Sequence, residues 1–182
     1  MFISLLSDLK IFVEERDWLQ YHSPQNMATT LLVEATELLE HFLPNAPKEQ
    51  LELENELGDL LHCILLTMDA LNVPPPSTNI EYKGSGNHIL DLSTKLRSFM
   101  SHFLWLRNNE PYRDSIEDLS QVLKELLAIH FLICKDLNID PFKVTYAKLE
   151  HNKRKYPTEL MKGSVDNYFT YKKALQNKKG SS

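Results

Sequence analysis

Residues 34–59 read EATELLEHFLPNAPKEQLELENELGD and carry two pairs of acidic side chains. Glu34 and Glu37 form the first pair, and Glu56 and Asp59 form the second, each with a spacing of three residues. Residues three apart share a face of an α-helix, so each pair points two carboxylates in one direction. Leucines flank both pairs, which indicates amphipathic helices, and a proline-containing segment separates them. The stretch therefore predicts a helical hairpin in which four carboxylates face one another.

Carboxylates gathered in this way repel one another. Two unit charges about 4 Å apart interact by roughly 4 kcal/mol at an effective dielectric constant of about 20. A hard divalent cation relieves the repulsion, and oxygen ligands suit Mg²⁺, with Mn²⁺ as the second choice. We expect a metal site at Glu34, Glu37, Glu56 and Asp59. The alternative is that each pair is an ordinary part of a solvated helix face.

Composition narrows the class of protein. The chain has 182 residues and 42% hydrophobic residues, which suits a single domain over residues 1–170 followed by a polar tail at 171–182. Its net charge of −5 argues against a nucleic-acid partner, and its apolar runs are too short to span a bilayer. The two cysteines lie in apolar helical stretches, where buried thiols in a reducing compartment are expected. We therefore predict a cytoplasmic protein.

Apolar periodicity, proline positions and capping residues predict an all-α fold, a bundle of about six helices. The pair Ser23-Pro24 is typical of a helix start, and so is Asp140-Pro141. Helices are expected at about residues 2–20, 24–43, 48–72, 87–107, 114–137 and 141–156.

An internal repeat relates two parts of the chain. Residues in a first copy, 24–75, recur in a second copy, 87–141, at offsets of 61 and then 66. The second copy is degenerate, because the four acids of the first correspond there to Lys95, Ser98, Val122 and Glu125. One metal site is therefore expected, in the first copy. Chance similarity between leucine-rich helices is the alternative to duplication.

Two further segments sharpen the interpretation. Residues 15–26 read ERDWLQYHSPQN, and residues 148–157 read KLEHNKRKYP, followed by Gly163-Ser164 and Tyr168. Together with the acidic motif, in this order, they resemble the MazG-like all-α NTP pyrophosphatases, and most closely the dCTP pyrophosphatases. The resemblance covers residues 6–74 and 138–168.

The resemblance implies hydrolysis of a nucleoside triphosphate to the monophosphate and pyrophosphate, with a dCTP-like pyrimidine or modified nucleotide as substrate in sanitation of the nucleotide pool. It implies Mg²⁺ held by the four acids, which are also the catalytic residues, and pairing of two chains as a homodimer. The resemblance also implies a set of substrate-binding residues, to which the second copy of the repeat adds Trp105. The full set is Trp18, His22, Trp105, Lys148, Asn152, Lys155 and Tyr156.

Two departures from the family pattern leave alternatives open. Pro44 stands where the dCTP enzymes carry a tryptophan, and Cys63 stands where they carry a tyrosine. Because both positions touch the base pocket, and because a tandem repeat with one intact site also resembles the dimeric dUTPases, a uracil nucleotide is an alternative substrate. A nucleotide-binding regulator with little turnover is another alternative. A di-iron bundle is a third, since Asp59 and His62 have the spacing of an acid–histidine ligand pair.

Overall fold

The computed structural model describes residues 1–46, 49–77, 81–107, 110–163, 170 and 173, and all regular elements in those ranges are helical. This confirms the prediction of an all-α bundle. The elements are α1 Phe2–Glu14, a 3₁₀ helix Trp18–Tyr21, α2 Pro24–Glu40, α3 Gln50–Ala70, α4 His88–Ser101, α5 Ile116–Asp136, α6 Pro141–Lys155 and α7 Thr158–Met161. The last is a single turn that follows the six expected helices.

Polar side chains cap the N-termini of four of the helices. The Ser23 hydroxyl accepts a hydrogen bond from the Asn26 amide at 3.2 Å, and Asn87 and Ser115 cap α4 and α5 in the same way. A carboxylate oxygen of Asp140 accepts from the amides of the two residues at the start of α6 that follow Pro141. Each such cap contributes about 1 kcal/mol.

Two helices are shorter than predicted. α1 ends at Glu14 and not near Gln20, because Asp17 adopts φ 58°, in the left-handed region. α4 ends at Ser101 and not at Arg107, and Trp105 follows with φ 56°. An L-residue in this region cannot continue a right-handed helix.

The bundle is organised around α3, which packs against α1, α2, α5 and α6. All of residues 60–68 are buried, so this half of the helix is enclosed on every side. Its first half carries the acidic side chains and is less enclosed. The central helix therefore joins the hydrophobic core to the acidic face.

The two predicted copies have matching helix ends. α3 and α5 each span 21 residues, and both of their bounds keep the offset of 66. Asn72 and Asn138, two residues beyond these helices, both adopt φ 55°. In each case the next amide donates to a carbonyl inside the helix at 2.8 Å, the bond of a Schellman motif. Duplication stays a prediction, which these equivalent ends support.

Part of the sequence interpretation lies outside the described residues, namely Ser164, Tyr168 and the tail at 171–182 except Lys173. In the ranges that the structure does describe, none of the helices is long and apolar enough to cross a membrane.

Candidate functional site

Three of the four predicted acids converge. Glu34 extends from α2, and Glu56 and Asp59 extend from α3; one carboxylate oxygen from each lies within 4.8 Å of the others. All three side chains are half-buried. Glu37 is exposed and lies outside this group, although its charge acts on both Glu34 and Glu56. We call Glu34, Glu56 and Asp59 the acid cluster.

Helix α6 adds a cation and an amide to the acid cluster. The Lys148 ammonium lies 2.6 Å from Asp59 Oδ2, and the Asn152 amide Nδ2 donates to Asp59 Oδ1 at 3.3 Å. Lys148 and Asn152 are four residues apart, so they share the helix face that meets α3. Lys148 is buried, with 8% of its surface exposed. The resemblance predicted both residues for the site, and both lie beside the acids.

Gly58 allows α6 to approach so closely. A Cβ atom at this position would lie 2.7 Å from the Lys148 Cβ and 3.2 Å from the Val144 carbonyl oxygen. Such separations are shorter than van der Waals contact, so a larger residue would push the two helices apart. The glycine immediately before Asp59 thus brings the lysine within reach of it.

The acids differ in their affinity for protons. Burial, reinforced by the charges of Asp59, Glu37 and Glu56, raises the pKa of Glu34 to about 8. Burial also raises the pKa of Glu56. At Asp59 burial acts in the same direction, but contacts with His62 and Lys148 outweigh it and leave the pKa below its usual value. Glu34 is therefore largely protonated near neutral pH unless a further cation joins the cluster.

One oxygen atom of the acid cluster indicates that the cluster is suited to a cation. Glu56 Oε2 is inaccessible to solvent and has no hydrogen-bond partner among the described residues. A buried carboxylate oxygen without a donor is costly, and a bound cation would satisfy it. Three converging carboxylates provide the hard oxygen ligands that Mg²⁺ and Mn²⁺ prefer. The residues present therefore fit the metal that the resemblance implies.

His62 contacts protein groups and does not belong to the acid cluster. Its Nε2 lies 3.1 Å from the Thr145 carbonyl oxygen and donates to it, and its Nδ1 lies 3.7 Å from Asp59 Oδ1. Among the described residues, the group that could hold a metal consists of carboxylates alone. This removes the support for the di-iron alternative, which needs histidine ligands.

Aromatic side chains lie next to the α6 part of the site. The Trp18 ring packs edge-on against Tyr156, with centroids 5.6 Å apart, and against Phe12 at 5.7 Å. Tyr156 follows Asn152 by one helical turn, a rise of about 6 Å. The Lys155 ammonium lies 5.1 Å from the Tyr156 ring centroid. Three residues predicted to bind substrate thus lie together at the C-terminal end of α6.

Arg16 holds this aromatic group in place, a role that the sequence interpretation missed. Its Nε donates to the Tyr156 carbonyl at 2.8 Å, its Nη1 donates to the Phe12 carbonyl at 2.8 Å, and 3% of its surface is exposed. Burial lowers the pKa of the guanidinium. The only signal in the sequence is an arginine beside the Asp17-Trp18 pair, and it does not reveal a partner 140 residues away.

Two other predicted substrate-binding residues lie elsewhere. Burial lowers the pKa of His22, and the charge that opposes this effect is Asp69, about 15 Å beyond Asp59 along α3. Trp105 is 84% exposed, and its carbonyl accepts a hydrogen bond from Arg113 at 3.2 Å. Contact of either residue with a base stays a prediction.

Comparison of the chain with protein-family models, with curated proteins and with solved structures found no match.

Proposed function

We propose that this protein is a Mg²⁺-dependent nucleoside triphosphate pyrophosphohydrolase, which converts a (d)NTP and water into the (d)NMP and pyrophosphate. The observation that carries the proposal is the convergence of Glu34, Glu56 and Asp59 with Lys148 and Asn152. Acidic and basic groups side by side provide ligands for a cation and donors for phosphate oxygens in one place.

The acid cluster would hold the metal, with Glu37 at its open side. When bound, Mg²⁺ neutralises charge on the phosphates and lowers the pKa of water. Glu37 is exposed and shares a helix face with Glu34, so its carboxylate is free to orient the attacking water and accept its proton. Glu56 Oε2 has no hydrogen-bond donor in the described part of the chain, and a cation would satisfy this oxygen.

Donors from α6 would steady the polyphosphate. The Lys148 ammonium and the Asn152 amide are directed at Asp59, the acid on the α6 side of the cluster. Preorganised donors at this point would stabilise the negative charge that develops on the leaving pyrophosphate. Lys155 lies about one turn beyond Asn152 on α6 and would add a second positive charge for the polyphosphate.

The aromatic pair Trp18 and Tyr156 would contact the base or sugar. Trp18 is half-buried, and an aromatic ring is a suitable stacking partner for a base. A dCTP-like pyrimidine or a modified base is the proposed substrate.

A uracil nucleotide is the second candidate. The matching ends of α3 and α5 favour it, because a tandem hairpin with one acidic copy is the arrangement of the dimeric dUTPases. We also propose that two chains form a homodimer, and light scattering of the purified protein would measure the molar mass of the assembly.

The test is a panel of NTPs and dNTPs with MgCl₂, in which pyrophosphate and phosphate release are measured separately. We expect pyrophosphate from one or a few pyrimidine nucleotides. Glu56→Gln should lower turnover by about 100-fold or more, because the metal loses a ligand, with an unchanged circular dichroism spectrum. The matched control is Glu52→Gln, one turn earlier on α3 and exposed, which should keep full activity.

Two outcomes would contradict the proposal. Full activity in Glu56→Gln would show that the acid cluster is not the site. Nucleotide binding without any turnover in the unaltered protein would favour the regulator.

A further inference from the structure

Lys148 already acts as a cation for the acid cluster. Its ammonium contacts Asp59 Oδ2 at 2.6 Å, and its positive charge also opposes the rise in pKa of Glu34 and Glu56. It therefore faces all three acids and not Asp59 alone. One positive charge offsets only part of the negative charge that three acids and the neighbouring Glu37 can carry.

Packing fixes the stem of this lysine, while the ion pair with Asp59 holds its ammonium. The stem packs against Gly58 at the crossing of α3 and α6, where a Cβ on the glycine would lie 3.2 Å from the Lys148 Cγ. Gly58 and Lys148 are both buried, so the two backbones cannot separate without loss of packing. Rotation about the terminal bonds of the side chain still moves the ammonium by several ångströms.

A divalent cation and the Lys148 ammonium compete for the same oxygen. A cation that binds all three acids needs an oxygen of Asp59, and Asn152 already donates to Oδ1 while Lys148 occupies Oδ2. A second positive charge at this distance also repels the ammonium. A metal bound to Asp59 therefore weakens the pairing of this carboxylate with Lys148, and an anion in the same cleft is the natural new partner of the ammonium.

We propose, on the basis of the function proposed above, that Lys148 exchanges partners: it pairs with Asp59 in the cation-free protein and binds a phosphate of the substrate once a divalent cation has taken Asp59. Lys148 thus competes with the metal for Asp59 and binds the polyphosphate. Cation and polyphosphate binding are then positively coupled, since each releases a group that the other needs.

The test uses Mn²⁺ and inorganic tripolyphosphate as probes, without turnover. Calorimetry on the unaltered protein should show Mn²⁺ binding tightened by tripolyphosphate. In Lys148→Met, which keeps the stem, Mn²⁺ alone should bind roughly tenfold more tightly because the competitor is gone. Tripolyphosphate should then bind more weakly to the Mn²⁺-loaded variant, and the coupling should shrink.

The matched control is Lys153→Met. Lys153 lies on the same helix and pairs with Glu150 in an exposed position, so its loss should change neither affinity. If Lys148→Met does not fold, Lys148→Gln and the coupling measured in the unaltered protein provide the test. Weaker Mn²⁺ binding in a folded Lys148 variant would overturn the proposal, and so would the absence of coupling in the unaltered protein.

Failure of the partner exchange by Lys148 can be distinguished from failure of the proposed function. A protein without turnover whose Lys148→Met variant binds Mn²⁺ more tightly would keep the exchange and lose the reaction. Pyrophosphate release by the unaltered protein, together with weaker Mn²⁺ binding in the variant, would support the proposed reaction and contradict the partner exchange.

Discussion

The Lys95 ammonium lies 2.6 Å from a carboxylate oxygen of Glu125, and these residues occupy the positions of α4 and α5 that correspond to Glu34 and Asp59 in α2 and α3. The first hairpin places two acids at this point, and the second places an ion pair. The second hairpin therefore carries its own countercharge at this point. This difference agrees with the prediction of a single metal site, in the first hairpin.

Lys95→Met should lower the free energy of unfolding by about 1 kcal/mol, because the half-buried Glu125 loses its cationic partner and keeps only the hydrogen bond from Gln121 among those the structure describes. Turnover should not change. Urea unfolding and pyrophosphate release check the two parts. A loss of activity similar to that of Glu56→Gln would place the second hairpin in the active site, contrary to our interpretation.

Stability without a divalent cation should fall as the pH rises from about 5 to 8. The pKa of Glu34 is about 8 in the folded protein, against an ordinary value of 4.5, so between these values the folded state holds a proton that the unfolded state has lost. Each increase in pH in that interval therefore favours unfolding. Thermal unfolding at pH 5.5 and 8.5 in the presence of a chelator measures the decline.

Glu34→Gln is the control for this pH dependence. An uncharged amide cannot titrate, so the decline should be smaller and the variant should be the more stable protein at pH 8.5. Saturating Mg²⁺ should also reduce the decline in the unaltered protein, since the cation takes the place of the proton. An identical decline in both proteins would show that Glu34 titrates in its ordinary range.

Arg16→Met should destabilise the protein by about 2–4 kcal/mol, because it removes two buried hydrogen bonds to carbonyl groups while the volume is nearly kept. Urea unfolding measures the loss. Trp18 fluorescence should shift to longer wavelength, since Trp105 is already exposed and contributes little to the change. Arg97→Met, at an exposed position of α4, should leave both measurements unchanged and serves as the control.

The helices could be predicted from sequence because their signals are local. Ser23-Pro24 and Asp140-Pro141 begin α2 and α6 as expected, and the caps bond to amides only two or three residues away. The convergence of Glu34 with Glu56 and Asp59 follows from helix periodicity and from the short connection that pairs α2 with α3. The i, i+3 spacing also predicted Glu37 in this group, and the structure leaves Glu37 exposed outside it.

The rest of the site depends on contacts that spacing does not encode. The bond from Arg16 to Tyr156 joins the two ends of the domain, and the place of Lys148 beside Asp59 depends on how α6 crosses α3. The early end of α1 depends on the left-handed conformation of Asp17, for which aspartate is only modestly suited. Tertiary packing decides each of these features, and a pattern of apolar residues does not reveal it.

Gly58→Ala tests whether the helix crossing sets the position of Lys148. Alanine favours a helix over glycine by about 1 kcal/mol, but its Cβ would lie 2.7 Å from the Lys148 Cβ, and overpacking costs about 1–3 kcal/mol. We expect a net loss of about 1 kcal/mol in urea unfolding. Pyrophosphate release should fall by about tenfold, because a displaced α6 takes the Lys148 ammonium and the Asn152 amide away from the phosphates that they would bind. Gly58→Ser, with a larger side chain and a weaker helix propensity, should lose more of both. Greater stability with full turnover in Gly58→Ala would mean that α6 moves back freely and that Lys148 reaches its partners without the close crossing.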